Sequence, residues 1–253
     1  MPPFYRKTFR WLPSLILVTA IFFGWELYVK VAQIPAYILP PPSVVWRALM
    51  LHHNLILTDA VVTLTEMLVG LALGLLIGSA LAVPLAYSPH LRDATFPLLI
   101  ALEGIPKLAL APIVVIWLGI GLVAKIALVA LVTFFPLLVQ LSRGLRALDE
   151  EVELFIRTLC APEWKVFLKV RMPAALPFLF DALRLAIPLA MVGAVISEFI
   201  SSEQGLGHML LTAVGELNMA LAFVALLTMA AIAVSGYVIM LSLEWLWLPP
   251  WRR

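Results

Sequence analysis

The sequence predicts an all-α integral membrane protein with six transmembrane helices and both termini in the cytoplasm. Three observations lead to this fold class: the composition, the long charge-free segments, and the positions of Lys and Arg. Of the 253 residues, 63% are hydrophobic and 13% are charged, whereas a soluble domain of this size carries far more charge on its surface. The whole chain, residues 1–253, is therefore predicted to form a single transmembrane domain.

Each predicted helix extends a charge-free apolar segment toward the roughly 20 residues that cross a bilayer. The first is expected to be a retained helix and not a cleaved signal peptide, because its apolar segment is not followed by the small residues of a signal-peptidase cleavage site. In the third helix, Pro106 and Pro112 are expected to kink or break the chain. Only residues 119–121 separate the third helix from the fourth. The six helices are predicted at residues 10–30, 60–87, 94–118, 121–142, 177–200 and 217–245.

Basic residues collect on one side of this six-helix arrangement. Since Lys and Arg are enriched in cytoplasmic loops, that side is predicted to face the cytoplasm, and five or seven helices would break the pattern. The opposite loops are predicted to hold only Lys30, Arg47 and Lys125. The residues assigned to the cytoplasmic side are Arg6, Lys7, Arg10, Arg92, Arg143, Arg146, Arg157, Lys165, Lys169, Arg171, Arg252 and Arg253.

The second predicted helix carries a stripe of small residues. Gly70, Gly74, Gly78 and Ala82 recur at every fourth position, which lets another helix approach closely. The stripe is compatible with static packing, which is common in membrane bundles, and with a sliding contact in a moving protein.

The polar segment between the fourth and fifth helices is predicted to form two short cytoplasmic helices. In the first, Val152, Phe155, Ile156 and Leu159 recur at i, i+3, i+4 and i+7, as in an amphipathic helix. The second is expected to end at the prolines that follow it, at positions 173 and 177. Such helices either dock a soluble partner or lie on the membrane surface or under the bundle, and the pattern is compatible with both.

Several motifs resemble those of permease subunits of bacterial ABC importers. Residues 154–161, Trp164 and residues 172–177 resemble the cytoplasmic "EAA" loop of that family. Residues 39–43, followed by Trp46, are similar to its L-P-S-P-S stretch. The matches run from about residue 25 to 245. Further segments that resemble the nitrate, sulfonate and taurine branch are residues 105–112, 117–121, 197–199 and 205–207.

This resemblance implies a six-helix type I ABC importer permease fold in the bacterial cytoplasmic (inner) membrane. It also implies that the segment of about 143–176 contains amphipathic coupling helices that contact an ATPase. The coupling residues that it implies are Leu154, Phe155, Ile156, Arg157, Thr158, Leu159, Cys160, Ala161 and Trp164.

The coupling loop departs from the family pattern at the residues that shape it. Leu154 stands where the family has Glu, and Phe155 and Ile156 replace two alanines. Cys160 occupies the position of a glycine, where a positive φ is strained for a residue with a Cβ. Either the turn is built differently here or the helix continues further.

The resemblance further implies partner chains. An ABC importer needs an ATPase, and this sequence has no phosphate-binding loop of the form G-x-x-x-x-G-K-[ST]. The ATPase is therefore expected on another chain. ATP and Mg²⁺ are expected on a dimer of ABC ATPase subunits, with no cofactor on this chain. A second permease copy would complete a homodimer in the lipid bilayer, and an extracytoplasmic substrate-binding protein would deliver the solute. No nucleic acid partner is expected. No metal site is expected, because the four histidines are scattered along the sequence. No catalytic group is expected either, because the sequence shows no nucleophile with a matching general base.

Acidic residues in or near membrane spans are suspected of a function by default. Glu103 is one candidate, although Lys107 lies four residues on and could pair with it. Glu198 is another, because it adjoins a loop that the resemblance places at the external mouth; the alternative is a buried hydrogen-bonding role that anchors the loop. The residues expected in the translocation path or external gate are Glu103, Glu198, Ser201, Gln204, Gly205 and Gly207.

The favoured function is that of a permease subunit in an ATP-driven, binding-protein-dependent importer with alternating access. The resembled branch handles nitrate, sulfonates such as taurine, and heterocycles such as thiamine-pyrimidine precursors or riboflavin, and the 201–207 loop looks slightly more like the heterocycle members. The alternatives are an intramembrane enzyme, a channel-like protein or a secondary transporter that works without an ATPase. An enzyme would need catalytic residues that face each other, and the sequence shows no such pairing. A channel would need a polar ring along its pore, and a secondary transporter would show two similar halves; neither is visible in the sequence.

Overall fold

The computed structural model of the protein describes residues 12–248 and, within them, every side chain except those of residues 12, 14, 15, 150 and 157. The described chain is helical and contains no β-strand between residues 12 and 248, which confirms the all-α fold class. The basic residues predicted on the cytoplasmic side at the two chain ends lie outside the described residues. They are Arg6, Lys7, Arg10, Arg252 and Arg253.

The helices are numbered in chain order, and a π-helical segment, Phe167–Arg171, joins α8 to α9. They are α1 (Leu12–Val31), α2 (Pro42–Leu51), α3 (His53–Tyr87), α4 (Pro89–Glu103), α5 (Lys107–Leu118), α6 (Leu122–Gly144), α7 (Glu150–Thr158), α8 (Glu163–Val166), α9 (Met172–Ser201), α10 (Leu206–Gly215) and α11 (Met219–Trp247).

Four of the described helical stretches are long and apolar enough to cross a membrane, namely α3, α6, α11 and the continuous helix Glu163–Ser201. The pair α4 and α5 is bent by 94° and adds a fifth, broken span when its halves are counted together. Helix α1 has 20 residues and coincides with the first predicted span. The count of six spans and their direction across the membrane stay predictions.

The break expected in the third predicted helix is confirmed at Pro106. Helix α4 ends at Glu103 and α5 begins at Lys107, whereas Pro112 lies inside α5 without interrupting it. Across the bend, Lys107 Nζ lies 2.7 Å from Glu103 Oε1 and also donates to the Glu103 carbonyl oxygen. The pairing expected of these two residues is therefore confirmed, and it bridges the two halves of the bent pair.

One helix runs without interruption from Glu163 to Ser201. The expectation that Pro173 and Pro177 end the second cytoplasmic helix is therefore wrong. The π-helical segment immediately precedes Met172, and such a segment shifts the hydrogen-bond register of a helix where an α-helical turn is interrupted. Pro173 lies in the first turn that follows, where a proline is tolerated. Pro177 lies inside α9 and does not interrupt it. The second cytoplasmic helix and the fifth predicted span are one element.

Helix α6 forms the centre of the bundle, with α3 on one side and α9 on the other. Glycines allow both helices to come close. A Cβ on Gly78 of α3 would lie 3.0 Å from the carbonyl oxygen of Phe134, and a Cβ on Gly193 of α9 would lie 2.9 Å from Cα of Val129. The close approach predicted from the small-residue stripe is confirmed, and its partner is α6.

The bundle has two ends, which we name by a residue at each. At the Ser201 end, α3 and α6 begin and α9 finishes; at the Gly144 end, α3 and α6 finish and the long helix begins. Helix α10 lies at the Ser201 end as a ten-residue apolar helix, with Leu206 and Met209 buried. This helix was not predicted, because its length falls well short of a span.

Basic residues gather at the Gly144 end. Burial lowers the pKa of Arg146, and the neighbouring positive charges of Arg92 and Arg143 lower it further. These three residues come from the start of α4, the last turn of α6 and the loop after it. The structure therefore brings together basic residues that the charge pattern assigned to one side.

Candidate functional site

At the Gly144 end, a short helix presents apolar side chains to its surroundings. Helix α7 follows the loop after α6 and covers Glu150–Thr158. Four side chains on α7, in the turn after it and on α8 are about 60% exposed, and we call them the apolar patch. They are Leu154, Phe155, Leu159 and Trp164. They do not pack under the bundle, and a contiguous set of large exposed apolar residues is typical of a surface that another chain covers.

Arg171 ties α7 to the bundle from the last position of the π-helical segment. Its Nη2 lies 3.7 Å from Glu153 Oε1 on α7, and its Nη1 donates to the carbonyl oxygen of Leu145 at 3.2 Å. The guanidinium also lies 5.1 Å from the ring centroid of Tyr87, at the end of α3. One side chain therefore connects α7 with the ends of α3 and α6. The sequence pattern shows Arg171 only as a basic residue, because its three partners lie 18 to 84 positions before it.

The turn after α7 is built around Cys160, which has a φ of +46° and is exposed. Thr158 Oγ1 donates to the Phe155 carbonyl oxygen at 2.7 Å and helps to close the helix. The helix therefore does not continue beyond this point. The chain takes a left-handed turn at Cys160, a conformation that glycine adopts without strain.

Replacing Cys160 with glycine is expected to raise the free energy of unfolding by about 0.5 to 1 kcal/mol, because the strain of a positive φ is relieved. Replacing it with valine should lower that free energy by at least as much, since a β-branched side chain fits this conformation poorly. Thermal unfolding of the purified variants in detergent measures both effects. Cys160→Ser is the matched control, and equal stabilities for the glycine and valine variants would show that the turn is unstrained.

At the Ser201 end, buried polar side chains from three helices meet. We call them the polar cluster, and each is less than 9% exposed. The members are Asp59, Thr63 and Glu66 of α3, Lys125 of α6 and Glu198 of α9. Buried polar groups persist when they are hydrogen-bonded, and this cluster bonds mainly to the loop between α9 and α10.

Three successive backbone N–H groups, from the last residue of that loop and the first two residues of α10, donate to the polar cluster. Gly205 donates to Asp59 Oδ1 at 3.0 Å, Leu206 donates to Thr63 Oγ1 at 2.9 Å, and Gly207 donates to Glu198 Oε2. Thr63 in turn donates its hydroxyl proton to Glu198 Oε1 at 2.6 Å. Gly205 has a φ of +114°, which only glycine takes readily. The chain is therefore pinned to α3 and α9 where it enters α10.

Lys125 provides a fourth attachment of the same loop. Its Nζ donates to Glu66 Oε1 at 2.8 Å and to Ser202 Oγ at 2.6 Å. Lys125 was predicted in a loop facing the outer solution; it lies instead in the first turn of α6 and is 8% exposed. A lysine near a helix end is buried when a carboxylate neutralises it, and Glu66 supplies that carboxylate from 59 residues away.

The structure brings some of the predicted gate residues together and separates others. Glu198, Gly205 and Gly207 meet within the polar cluster and its loop, which is the anchoring arrangement considered for Glu198. Gln204 is exposed beside them, and its backbone N–H bonds to the Ser202 hydroxyl. Glu103 lies at the α4–α5 bend, with Lys107 as its partner. In the described part of the chain, no three His, Cys, Asp or Glu side chains are arranged to hold a metal ion.

Residues 70–246 match a protein family described as the binding-protein-dependent transport system inner membrane component. The chain belongs to this family. It is an inner-membrane permease subunit of an ABC importer, and ATP hydrolysis takes place on a separate ATPase subunit.

Curated relatives cover nearly the whole permease. A probable ABC transporter permease protein of Haemophilus influenzae is 33% identical, over 94% of this chain and 96% of its own length. The riboflavin transport system permease protein RibX of Chloroflexus aurantiacus is 35% identical, over 94% and 90%. The formylaminopyrimidine transport permease protein ThiX of Halalkalibacterium halodurans is 29% identical, over 98% and 99%.

Among solved structures, the permease resembles a chain of the MetNI methionine ABC transporter in an inward-facing conformation. The TM-score is 0.59 and the sequence identity 19%, with 75% of this chain and 96% of that chain covered. A second crystal form of the same transporter gives a TM-score of 0.58. The type I importer fold of the permease, which its motifs predicted, is thereby confirmed.

Proposed function

We propose that the permease couples to its ATPase through the apolar patch and the turn that follows it. The observation that carries this proposal is the exposure of the four large apolar side chains of the patch, two of which lie on α7. Arg171 ties this helix to the ends of α3 and α6. A partner chain that binds α7 can therefore transmit its movement to the bundle. The coupling residues are Leu154, Phe155, Ile156, Arg157, Thr158, Leu159, Cys160, Ala161 and Trp164.

The Gly144 end then faces the cytoplasm and the Ser201 end faces the outer side, in agreement with the gathering of Arg92, Arg143 and Arg146. The loop pinned by the polar cluster acts as an external gate, with Glu198, Ser201, Gln204, Gly205 and Gly207 as its residues. Glu103 contributes to the translocation path from the α4–α5 bend. A broken helix inside a membrane protein commonly borders a path, because its free backbone groups must face protein or water.

The functional unit is proposed to contain two copies of the permease, two ATPase subunits and one extracytoplasmic substrate-binding protein. When ATP binds, closure of the ATPase pair would move α7 in both copies, and a rigid-body rotation of the two bundles would switch access from the outer side to the cytoplasm.

The solute is proposed to be a small heterocycle of the formylaminopyrimidine or riboflavin class. The permeases named for these solutes match at least 90% of both chains, whereas the taurine permease TauC of Escherichia coli is 28% identical over 86% of this chain and 81% of its own length.

Uptake into proteoliposomes tests the proposed solute class. The permease is reconstituted with its ATPase and substrate-binding protein, and ATP is enclosed. We expect labelled formylaminopyrimidine or riboflavin to accumulate, and labelled taurine and nitrate to stay outside. Accumulation of taurine or nitrate in place of the heterocycles would assign a different solute, while accumulation without ATP would contradict the ATPase-driven mechanism.

A further inference from the structure

The polar cluster contains more negative than positive groups. It holds the three carboxyl groups of Asp59, Glu66 and Glu198 and one lysine, Lys125, which is hydrogen-bonded to Glu66. Glu66 and Glu198 lie close enough to interact electrostatically with each other, and Glu66 Oε2 is buried without a hydrogen-bond partner. Like charges in a medium of low dielectric repel strongly. Lys125 is therefore the group that holds this arrangement together.

The contacts of Lys125 join three separate parts of the chain. The side chain starts on α6, meets Glu66 on α3 and reaches Ser202 in the loop between α9 and α10. Ser202 shapes that loop, because its hydroxyl both accepts the N–H of Gln204 and donates to the Gln204 carbonyl oxygen. The other attachments of the loop run to α3 and α9. Within the described residues, Lys125 links α6 to this loop through a side-chain hydrogen bond.

We propose that Lys125 is a positioning residue of the external gate, which holds the Ser202–Gly205 loop closed until the substrate-binding protein and ATP open it. This inference rests on the proposed function of the loop as a gate. When the gate opens, the loop must move away from α6, and the bond from Lys125 to Ser202 must break. The cost of breaking it keeps the resting permease closed.

Removing this bond shifts the population toward the open gate. In the proposed mechanism, closure of the ATPase pair accompanies opening to the outer side, so a permease that opens on its own should activate hydrolysis without the substrate-binding protein. In Lys125→Met, the positive charge and its hydrogen bonds disappear while the length of the side chain is kept. Glu66 is left buried without its charged partner, and the loop loses its bond to α6.

The test measures ATP hydrolysis by the assembled permease–ATPase complex, with and without the substrate-binding protein. We expect Lys125→Met to raise the rate without the binding protein by about tenfold and to reduce the stimulation that the binding protein causes. Lys125→Arg, which keeps the charge and the donors, should restore most of the regulation. Lys30→Met is the matched control, because Lys30 is exposed and pairs with Glu26 away from the gate; both rates should stay at the wild-type level.

Ser202→Ala provides a second variant, which leaves the Lys125–Glu66 pair intact and removes the bond from Lys125 to the loop together with the two bonds between the Ser202 hydroxyl and Gln204. It should raise the unstimulated rate in the same direction by a smaller factor. A third readout follows the loop itself, by labelling a cysteine placed at position 204 with a membrane-impermeant maleimide. Cys160 is first replaced with glycine, so that the Gln204→Cys thiol is the labelled one. We expect this thiol to react faster in Lys125→Met than with the native lysine. Wild-type rates and labelling in Ser202→Ala and in an assembled Lys125→Met complex would overturn the proposal. If the wild-type complex itself fails to assemble or to respond to the binding protein, the proposed function fails instead.

Discussion

Replacing Phe155 with aspartate is expected to detach the permease from its ATPase while leaving the permease in the membrane. The side chain is 62% exposed in the permease alone, so the substitution removes little internal packing. In a docked complex it would lose about 1.5 to 3 kcal/mol of apolar burial and bury a charge without a partner. Together these losses should weaken binding by at least about 100-fold.

Co-purification of the ATPase with tagged permease measures this effect, and membrane fractionation confirms insertion. Leu91→Asp is the matched control, since Leu91 is an apolar residue, 42% exposed, in the first turn of α4 at the same end of the bundle. It should retain the ATPase. Wild-type stoichiometry in the Phe155→Asp complex would show that the ATPase docks elsewhere.

Replacing Gly78 with valine is expected to lower the free energy of unfolding of the permease by about 3 kcal/mol, at the upper end of the range for overpacked cores. A Cβ at this position would lie 3.0 Å from the Phe134 carbonyl oxygen, 3.1 Å from Leu137 Cβ and 3.1 Å from Leu138 N. Two of these atoms belong to the backbone of α6. They cannot rotate away, so α3 and α6 must separate.

Unfolding of the purified permease in detergent, followed by circular dichroism, measures the loss. Gly24→Val is the matched control, because Gly24 lies inside α1 and a Cβ there meets nothing within 4 Å. Its expected change is a few tenths of a kcal/mol, set by helix propensity alone. A loss of similar size in both variants would mean that the contact between α3 and α6 tolerates an added side chain.

The features that the sequence predicted well are those with a local pattern. Apolar runs located the long helices, Pro106 located the bend, and the spacing of the small residues identified the close contact of α3. Helical periodicity located α7 and the apolar residues of its exposed face. Each of these patterns is contained within a single helix, where the backbone geometry determines which residues share a face.

The features that the sequence did not reveal depend on partners far away in the chain. Lys125 looked like a loop residue, because its carboxylate partner Glu66 precedes it by 59 positions and its hydroxyl partner Ser202 follows it by 77. The anchoring role of Arg171 was missed for the same reason. The shape of the turn at Cys160 was left open, since the local sequence does not tell how much strain the surrounding structure will support.

The continuous helix Glu163–Ser201 has a mechanical consequence. Its 39 residues amount to a rod of about 58 Å, with the apolar patch beside one tip and the pinned loop at the other. Tilting such a rod by about 5° about one tip displaces the opposite tip by about 5 Å, more than the reach of any hydrogen bond. If the ATPase docks at the apolar patch as proposed, a small displacement there would therefore become a movement at the opposite tip large enough to break the hydrogen bonds of the loop.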